Sequence, residues 1–170
     1  GVRDARSEAV VQAAVYADVD ENIQGFSSGY QTRLGERGVT ISGGQKQRVS
    51  IARAFMMDAP VLILDDAVSA VDTNTEKTIL DNIRRIRQDK TTLMIAHRIS
   101  TVENMDRIFF LEDGCLVAEG THESLLETCP AYAGLVKLQQ LEQVHAPPGA
   151  AGALAHPLIQ TDHKGGAGGF

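Results

Sequence analysis

The stretch that most constrains this chain is residues 41–48, which read ISGGQKQR. Ser42 is a good N-cap residue, and Gly43 and Gly44 leave the backbone N–H groups of the first helical turn uncovered. Free N–H donors and the positive end of a helix dipole together make an anion site, to which Gln45 adds a side-chain amide. The stretch therefore predicts an amphipathic helix that holds phosphate oxygens by its backbone.

The apolar side of this helix is formed by Val49, Ala52, Phe55 and Met56. An ordinary capped helix without a ligand would carry the same residues, so the run alone leaves both possibilities open.

A continuous apolar run follows this helix and ends in two carboxylates. We expect Val61–Leu64 to be a strand buried on both faces of a parallel sheet. Ligands of α/β sheets bind beyond the carboxyl ends of the strands, so Asp65 is placed to hold Mg²⁺ directly or through water. A second predicted strand, Thr91–Ile95, is followed shortly by His97. Strands that alternate with helices in this way predict an α/β fold.

The apolar pattern divides the chain into three parts. Residues 1–58 are mostly helical and are expected to form a helical subdomain that contains the glycine pair. Residues 59–145 are expected to form the α/β portion with its C-terminal helices. Residues 146–170 are dominated by Pro, Ala and Gly and are predicted to be a disordered tail. Core positions of the last helix are predicted at Tyr132, Leu135, Val136 and Leu141.

Charge and cysteine content exclude some function classes. The formal net charge is −6 and the pI about 5.3, which gives little support to nucleic-acid binding. The small basic cluster of Arg84, Arg85 and Arg87 is expected to be the solvated face of a helix. Cys115 and Cys129 lack the spacing of metal ligands and are expected to be reduced thiols in the core.

Several motifs occur in an order that resembles the ATP-binding cassette (ABC) ATPases. Residues 41–48 resemble the family's signature sequence, whose usual form begins with Leu, and residues 61–65 resemble its Walker B strand. The run SAVD at 69–72 resembles the D-loop, and IAHR at 95–98 resembles the switch loop. The resemblance covers residues 1–143 and is closest to exporter or multidrug-type ATPases that carry their membrane helices in the same polypeptide. It implies a P-loop NTPase-like parallel sheet with helices on both faces and an α-helical signature subdomain.

The resemblance also implies how the signature would act. In this family two nucleotide-binding domains face each other head to tail, and each ATP lies between the Walker motifs of one domain and the signature of the other. Ser42, Gly43, Gly44 and Gln45 would then bind an ATP that is held mainly by a partner domain. Asp72 would touch the partner, although capping of the following helix alone would also explain it.

The chain's own ATP would be served by residues at the strand ends. The resemblance implies that Asp65 holds Mg²⁺ and that His97 contacts the γ-phosphate and senses its loss. Asp66 departs from the family, which usually has Glu there to polarise the attacking water. Asp is one methylene shorter, and misplacement by roughly 1 Å can cost about a hundredfold in rate. Asp66 is therefore either a poor catalytic base or a carboxylate favoured by the helix dipole, and both remain open.

No Gly-x-x-x-x-Gly-Lys-Ser/Thr phosphate loop (Walker A) occurs in the sequence. The resemblance thus implies the later portion of a nucleotide-binding domain, and we expect no tight ATP binding or turnover from the isolated chain. The parent protein would be an ABC ATPase with a transmembrane domain, at the cytoplasmic face of the plasma (inner) membrane, and it would work as a homo- or heterodimer. Two alternatives remain: an ABC-type ATPase of DNA-repair or chromosome complexes, which usually lacks Gln after the two glycines, and a non-catalytic dimerisation module.

Overall fold

The structure is a computed structural model that describes residues 7–35 and 39–145. Mostly helical elements come first: α1 (Ser7–Tyr16), α2 (Asp20–Gln24), a 3₁₀ turn (Gly29–Gln31) and α3 (Gly43–Phe55). Strands and helices then alternate as β1 (Val61–Asp65), α4 (Thr73–Ile86), β2 (Thr91–Ile95) and α5 (Ile99–Val102). The described part ends with β3 (Ile108–Glu112), β4 (Cys115–Gly120), α6 (His122–Thr128) and α7 (Pro130–His145). The predicted tail over 146–170 lies outside the described residues.

Strands β1 and β2 form a parallel pair, which confirms the predicted α/β fold. Their register pairs Asp65 with Ile95, so both carboxyl ends lie at the same edge of the sheet. The backbone N–H of Asp66 donates to the carbonyl of Ile95 at 2.9 Å and extends the pairing by one residue. Strands β3 and β4 form a separate antiparallel hairpin.

One face of the parallel pair is covered within the described chain, and the other is exposed. Leu62 and Leu64 are buried, whereas Val61 and Ile63 are 53% and 61% exposed. Successive side chains of a strand point to opposite faces, and α3 and α4 pack on one of them. The expectation that Val61–Leu64 is buried on both faces is therefore wrong for the described residues.

The main core joins the early helices to the sheet. Its buried members come from α1 and the turn after it, from α3, from β1 and from α4: Ala14, Ala17, Val19, Ile51, Leu62, Leu64, Ile79, Leu80 and Ile83. This core crosses the predicted domain boundary after residue 58, and the division there stays a prediction.

A second core lies between the hairpin and the last two helices. Ile99, Ile108, Leu125, Cys129, Tyr132 and Val136 are its buried members. Two expectations need correction. Cys115 is exposed, because both faces of β4 are open at its start, where Leu116 and Val117 are exposed as well. Leu141 is 51% exposed near the end of α7.

Arg87 is buried, which corrects the view that all three arginines of its cluster are solvated. Its Nη2 donates to the carbonyls of Ala59 and Thr91 at 3.0 and 3.1 Å, and its Nε donates to Thr92 Oγ1 at 3.0 Å. A guanidinium has donors enough for all three oxygens, so it joins the end of α4 to the starts of both strands. Arg84 and Arg85 are exposed, as expected.

Candidate nucleotide site

The start of α3 is held by a reciprocal capping box. The backbone N–H of Gln45 donates to Ser42 Oγ at 3.2 Å, and the backbone N–H of Ser42 donates to Gln45 Oε1 at 3.0 Å. The predicted N-cap is thereby confirmed. Because the oxygen of the Gln45 amide is engaged in the cap, its NH₂ group is the part that remains to donate to an anion.

Gly44 is required by a close approach as well as by any role in phosphate binding. A Cβ built at this position would lie 2.7 Å from the carbonyl oxygen of Ala70, closer than real Cβ atoms come to backbone oxygen. The first turn of α3 therefore packs directly on the segment between β1 and α4. The glycine pair in the sequence predicted only anion binding, and this contact could not be foreseen from it.

Gln47 fastens the same segment with its side-chain amide. Its Nε2 donates to the carbonyl of Asp66 at 3.1 Å and to Ser69 Oγ at 2.9 Å, and its Oε1 accepts from the N–H of Ala70 at 2.9 Å. This role of Gln47 was not predicted from the sequence. The one sequence feature that could have indicated it is that Gln47 belongs to the glycine-containing run of residues 41–48.

Asp65 and Asp66 lie at the carboxyl end of β1, as predicted, and both are exposed. Asp66 has a φ of +47°, in the left-handed region that Asp tolerates better than most side chains. That turn directs the chain away from the sheet and into the segment that Gln47 holds. The parallel register brings this turn beside the end of β2, two residues before His97.

His97 is exposed and lies between β2 and α5. Two backbone groups of this segment are bonded to Gln139 of α7. Gln139 Nε2 donates to the carbonyl of His97 at 2.7 Å, and Gln139 Oε1 accepts from the N–H of Ile99 at 2.9 Å. Nothing in the sequence pattern pointed to Gln139, because it lies 42 residues from His97.

Arg98 connects the His97 segment to the segment after β1. Its Nη2 donates to the carbonyl of Ser69 at 2.9 Å, and its Nη1 forms a 2.9 Å ion pair with Glu76 of α4. Glu76 is only 2% exposed and also accepts from the hydroxyl of Thr101. The strand ends, α4 and α5 are thus joined by one charge pair whose carboxylate is buried and whose guanidinium is half-buried.

Asp72 caps α4, as predicted. Its carboxylate accepts from the backbone N–H groups of Asn74 and Thr75, both at 3.1 Å. These hydrogen bonds, chiefly the one from the Thr75 backbone, lower the pKa of Asp72 because they favour its charged form. Contact of Asp72 with a partner stays a prediction.

The donor set at the strand edge fits Mg²⁺ in one specific way. Among the described residues, no group of three His, Cys, Asp or Glu side chains is arranged to hold a metal ion. Mg²⁺, however, is usually held by one or two carboxylates while phosphates and waters supply the other ligands. The exposed carboxylate of Asp65 fits that arrangement.

The sequence comparisons agree with the motif order and the fold. The family described as "ABC transporter" matches residues 4–69. An ATP-dependent lipid A-core flippase of Shewanella sp. (strain MR-4) is 48% identical over 136 residues, which are 80% of this chain and 23% of the flippase. The putative multidrug export ATP-binding/permease protein YgaD of Bacillus subtilis (strain 168) is 44% identical over 141 residues, 83% of this chain and 24% of that protein.

The chain belongs to the ABC transporter family. Among solved structures, a bacterial Atm1-family ABC exporter with ATP bound has a TM-score of 0.78 and 41% sequence identity, and the match covers 82% of this chain and 25% of the exporter chain. The ABC transporter chain described here spans about a quarter of the length of the curated relatives it matches. No helix within the described ranges is long and apolar enough to cross a membrane.

Proposed function

We propose that this chain is part of the ATP-binding and hydrolysing domain of an ABC exporter, and that its signature completes the ATP site of a partner domain. The observation that carries the proposal is the start of α3: Ser42 and Gln45 fix the first turn by mutual hydrogen bonds while Ser42 and Gly43 stay exposed. The similarity to a lipid A flippase, a multidrug export protein and an Atm1-family exporter supports export over DNA repair and over a purely structural role.

The signature would bind the γ-phosphate through backbone N–H groups at a helix N-terminus. Such groups and the helix dipole favour an anion without needing a cationic side chain. The Gln45 NH₂ group adds one donor. ATP would act as a contact between two domains, because its γ-phosphate supplies bonds that exist only in the closed pair, and hydrolysis would remove them.

The strand edge would serve the chain's own ATP. Asp65 would hold Mg²⁺, which neutralises charge on the phosphate oxygens when it is bound. His97 would donate to the γ-phosphate. Asp66 would orient water poorly, because its carboxylate is one methylene closer to the backbone than that of Glu and its backbone is fixed by the bond to Ile95.

With a different partner domain, this arrangement makes the two ATP sites of the dimer unequal, whereas an identical partner would give two equal sites. The site built on this chain's strand edge would hydrolyse slowly, and the site completed by this chain's signature would be the competent one. The partner would be a second ABC nucleotide-binding domain, identical or different, and membrane helices would couple closure to transport at the cytoplasmic face of the plasma (inner) membrane. By itself, the chain is proposed to lack tight ATP binding and turnover, since it contains no phosphate loop.

Steady-state ATPase of the complete transporter tests the proposal. Replacing Ser42 by Arg places bulk at the helix start, and we expect a loss of roughly a hundredfold or more, the cost of removing a preorganised transition-state donor. Ser50→Arg is the matched control, because Ser50 is an exposed serine further along the same helix. It should leave the rate unchanged.

A second variant tests the inequality of the sites. Asp66→Glu should raise the rate by supplying a longer carboxylate. Full activity in Ser42→Arg together with no gain in Asp66→Glu would reject the proposed assignment of the two sites.

A further inference from the structure

His97 lies on a segment that has no regular structure of its own. Residues 96–98 lie between the last residue of β2 and the first of α5 and belong to neither. An exposed imidazole can make a reproducible contact with a phosphate only if the backbone that carries it is held by other parts of the protein. The bonds that hold this segment are therefore of functional interest.

Gln139 holds the segment at two points with one side-chain amide. It donates to the carbonyl of His97 at 2.7 Å and accepts from the N–H of Ile99 at 2.9 Å. The N–H groups in the first turn of a helix lack partners within that helix, and the N-cap residue of α5, Arg98, gives no side-chain cap. Gln139 thus caps α5 from another helix and, by the same amide, fixes the peptide group after His97.

Arg98 anchors the segment from the opposite direction. Its guanidinium binds the Ser69 carbonyl and the buried carboxylate of Glu76. With Gln139 on one side and Arg98 on the other, the backbone around His97 is bonded to both α7 and α4.

Helix α7, which carries Gln139, packs in the second core. Val136, one turn earlier, and Tyr132 are buried in the second core against Ile108 and Leu125. The hydroxyl of Tyr132 also lies 2.8 Å from Nδ1 of His122. The seating of α7 on the hairpin core therefore sets where the Gln139 amide lies.

From these contacts we propose that Gln139 is a positioning residue for His97. Through Gln139, the packing of α7 determines where the imidazole lies. The inference rests on the proposed function, in that it concerns the contact of His97 with the γ-phosphate. It assigns to the last helix an effect on ATP hydrolysis without direct contact with the nucleotide.

Two substitutions of Gln139 in the complete transporter separate its two hydrogen bonds. Gln139→Glu keeps an acceptor for the Ile99 N–H but replaces the donor to His97 with a carboxylate oxygen that repels the carbonyl. Gln139→Met has a similar length and removes both bonds. Gln140→Glu is the matched control, an exposed neighbour on the same helix.

Because His97 serves this chain's own slow site, kcat is measured in a Ser42→Arg background, in which the site completed by the signature is silenced. There we expect both Gln139 variants to lower the remaining kcat by about tenfold to a hundredfold while KM for ATP stays within about twofold, the pattern of a misplaced catalytic group. Hydrogen–deuterium exchange at the Ile99 amide should stay slow in Gln139→Glu and become fast in Gln139→Met. Gln140→Glu in the same background should match the Ser42→Arg protein in all three quantities. A purely structural role would not lower kcat while leaving Ile99 protected, as is expected of Gln139→Glu.

The outcomes distinguish this inference from the proposed function. Unchanged kcat of this chain's own site in both Gln139 variants of the Ser42→Arg transporter would overturn the positioning role alone. A fall in kcat accompanied by fast exchange throughout the chain would overturn it too, because that result indicates general loosening. Absence of ATPase in the unmodified transporter would instead reject the proposed function, and the positioning role with it.

Discussion

The start of α3 and the carboxyl edge of β1 and β2 are both proposed to meet ATP, but they are held in different ways. At the start of α3, Ser42 and Gln45 bond each other across three residues of sequence. At the strand edge, Gln139 reaches His97 from 42 residues away, and Arg98 reaches Glu76 across 22. The cap of α3 is made by residues close in sequence, whereas the strand edge depends on how α4 and α7 pack against it. Damage to the strand edge should therefore cost more stability than damage to the helix cap.

The largest effect on stability is expected at the strand edge, from Arg98→Met. The substitution leaves the buried Glu76 without its cation. Breaking a fully buried pair from one side costs about 3–5 kcal/mol, and the 34% exposure of the Arg98 side chain places this pair at the low end. Because Glu76 keeps the hydroxyls of Ser100 and Thr101 as donors, we expect about 3 kcal/mol less unfolding free energy in a urea titration. The double variant Arg98→Met/Glu76→Gln removes the unpaired charge and should recover a large part of the loss. A single-variant loss below about 1 kcal/mol would contradict the comparison.

A smaller loss is expected where the two regions touch, from Gly44→Ala. The added Cβ would lie 2.7 Å from the Ala70 carbonyl, so the segment after β1 must shift. Overpacking of this kind costs about 1–3 kcal/mol, measured by the same titration. Gly43→Ala is the matched control, because its Cβ would meet only the Ala70 side chain, at an ordinary 3.7 Å. Equal losses in the two variants would show that the close approach is not what requires Gly44.

Loss of the cap alone should be milder. Ser42→Ala removes the acceptor for the Gln45 N–H, and loss of a serine N-cap costs about 1 kcal/mol. Circular dichroism during urea unfolding would measure it. Ser50→Ala on the same helix should be nearly neutral, since the Ser50 hydroxyl bonds only the carbonyl of Lys46 one turn back. A Ser42→Ala loss as large as that of Arg98→Met would erase the difference between local and long-range support.

The smallest effect is expected from pH acting on Asp72, a second local cap. Hydrogen bonds from the backbone of Thr75 lower the pKa of this carboxyl in the folded chain. The stability that Asp72 contributes is therefore present above its unfolded pKa of about 3.9 and is lost as the pH falls through the lower folded value. Asp72→Asn keeps a capping oxygen that does not titrate, so it should lose less unfolding free energy than the unmodified chain between about pH 7 and about pH 3. Equal losses in the two proteins would show that the Asp72 carboxyl does not titrate abnormally.

The same contrast explains how far the sequence could be read. Features that depend on residues close in sequence could be predicted, and the structure confirms them. They are the helix caps Ser42 and Asp72 and the two strands that end before Asp66 and His97. The role of Gln139 and the burial of Arg87 could not be foreseen, because each depends on oxygens supplied by distant elements.

The exposed face of β1 shows the opposite failure. A uniformly apolar strand predicts burial on both sides, yet Ile63 is exposed within the described residues. A sequence pattern indicates that a face is suited to burial, but it does not indicate whether any element of the described chain packs on that face.

The central claim is that the exposed turn at the start of α3 binds the terminal phosphate of an ATP held by another domain. A cryo-EM structure of the complete transporter, closed around ATP, tests it most directly. The account predicts that Ser42 Oγ and the Gly44 N–H lie about 3 Å from γ-phosphate oxygens of the nucleotide bound by the partner domain. A closed structure in which this turn lies beyond hydrogen-bonding distance of that phosphate would contradict the account.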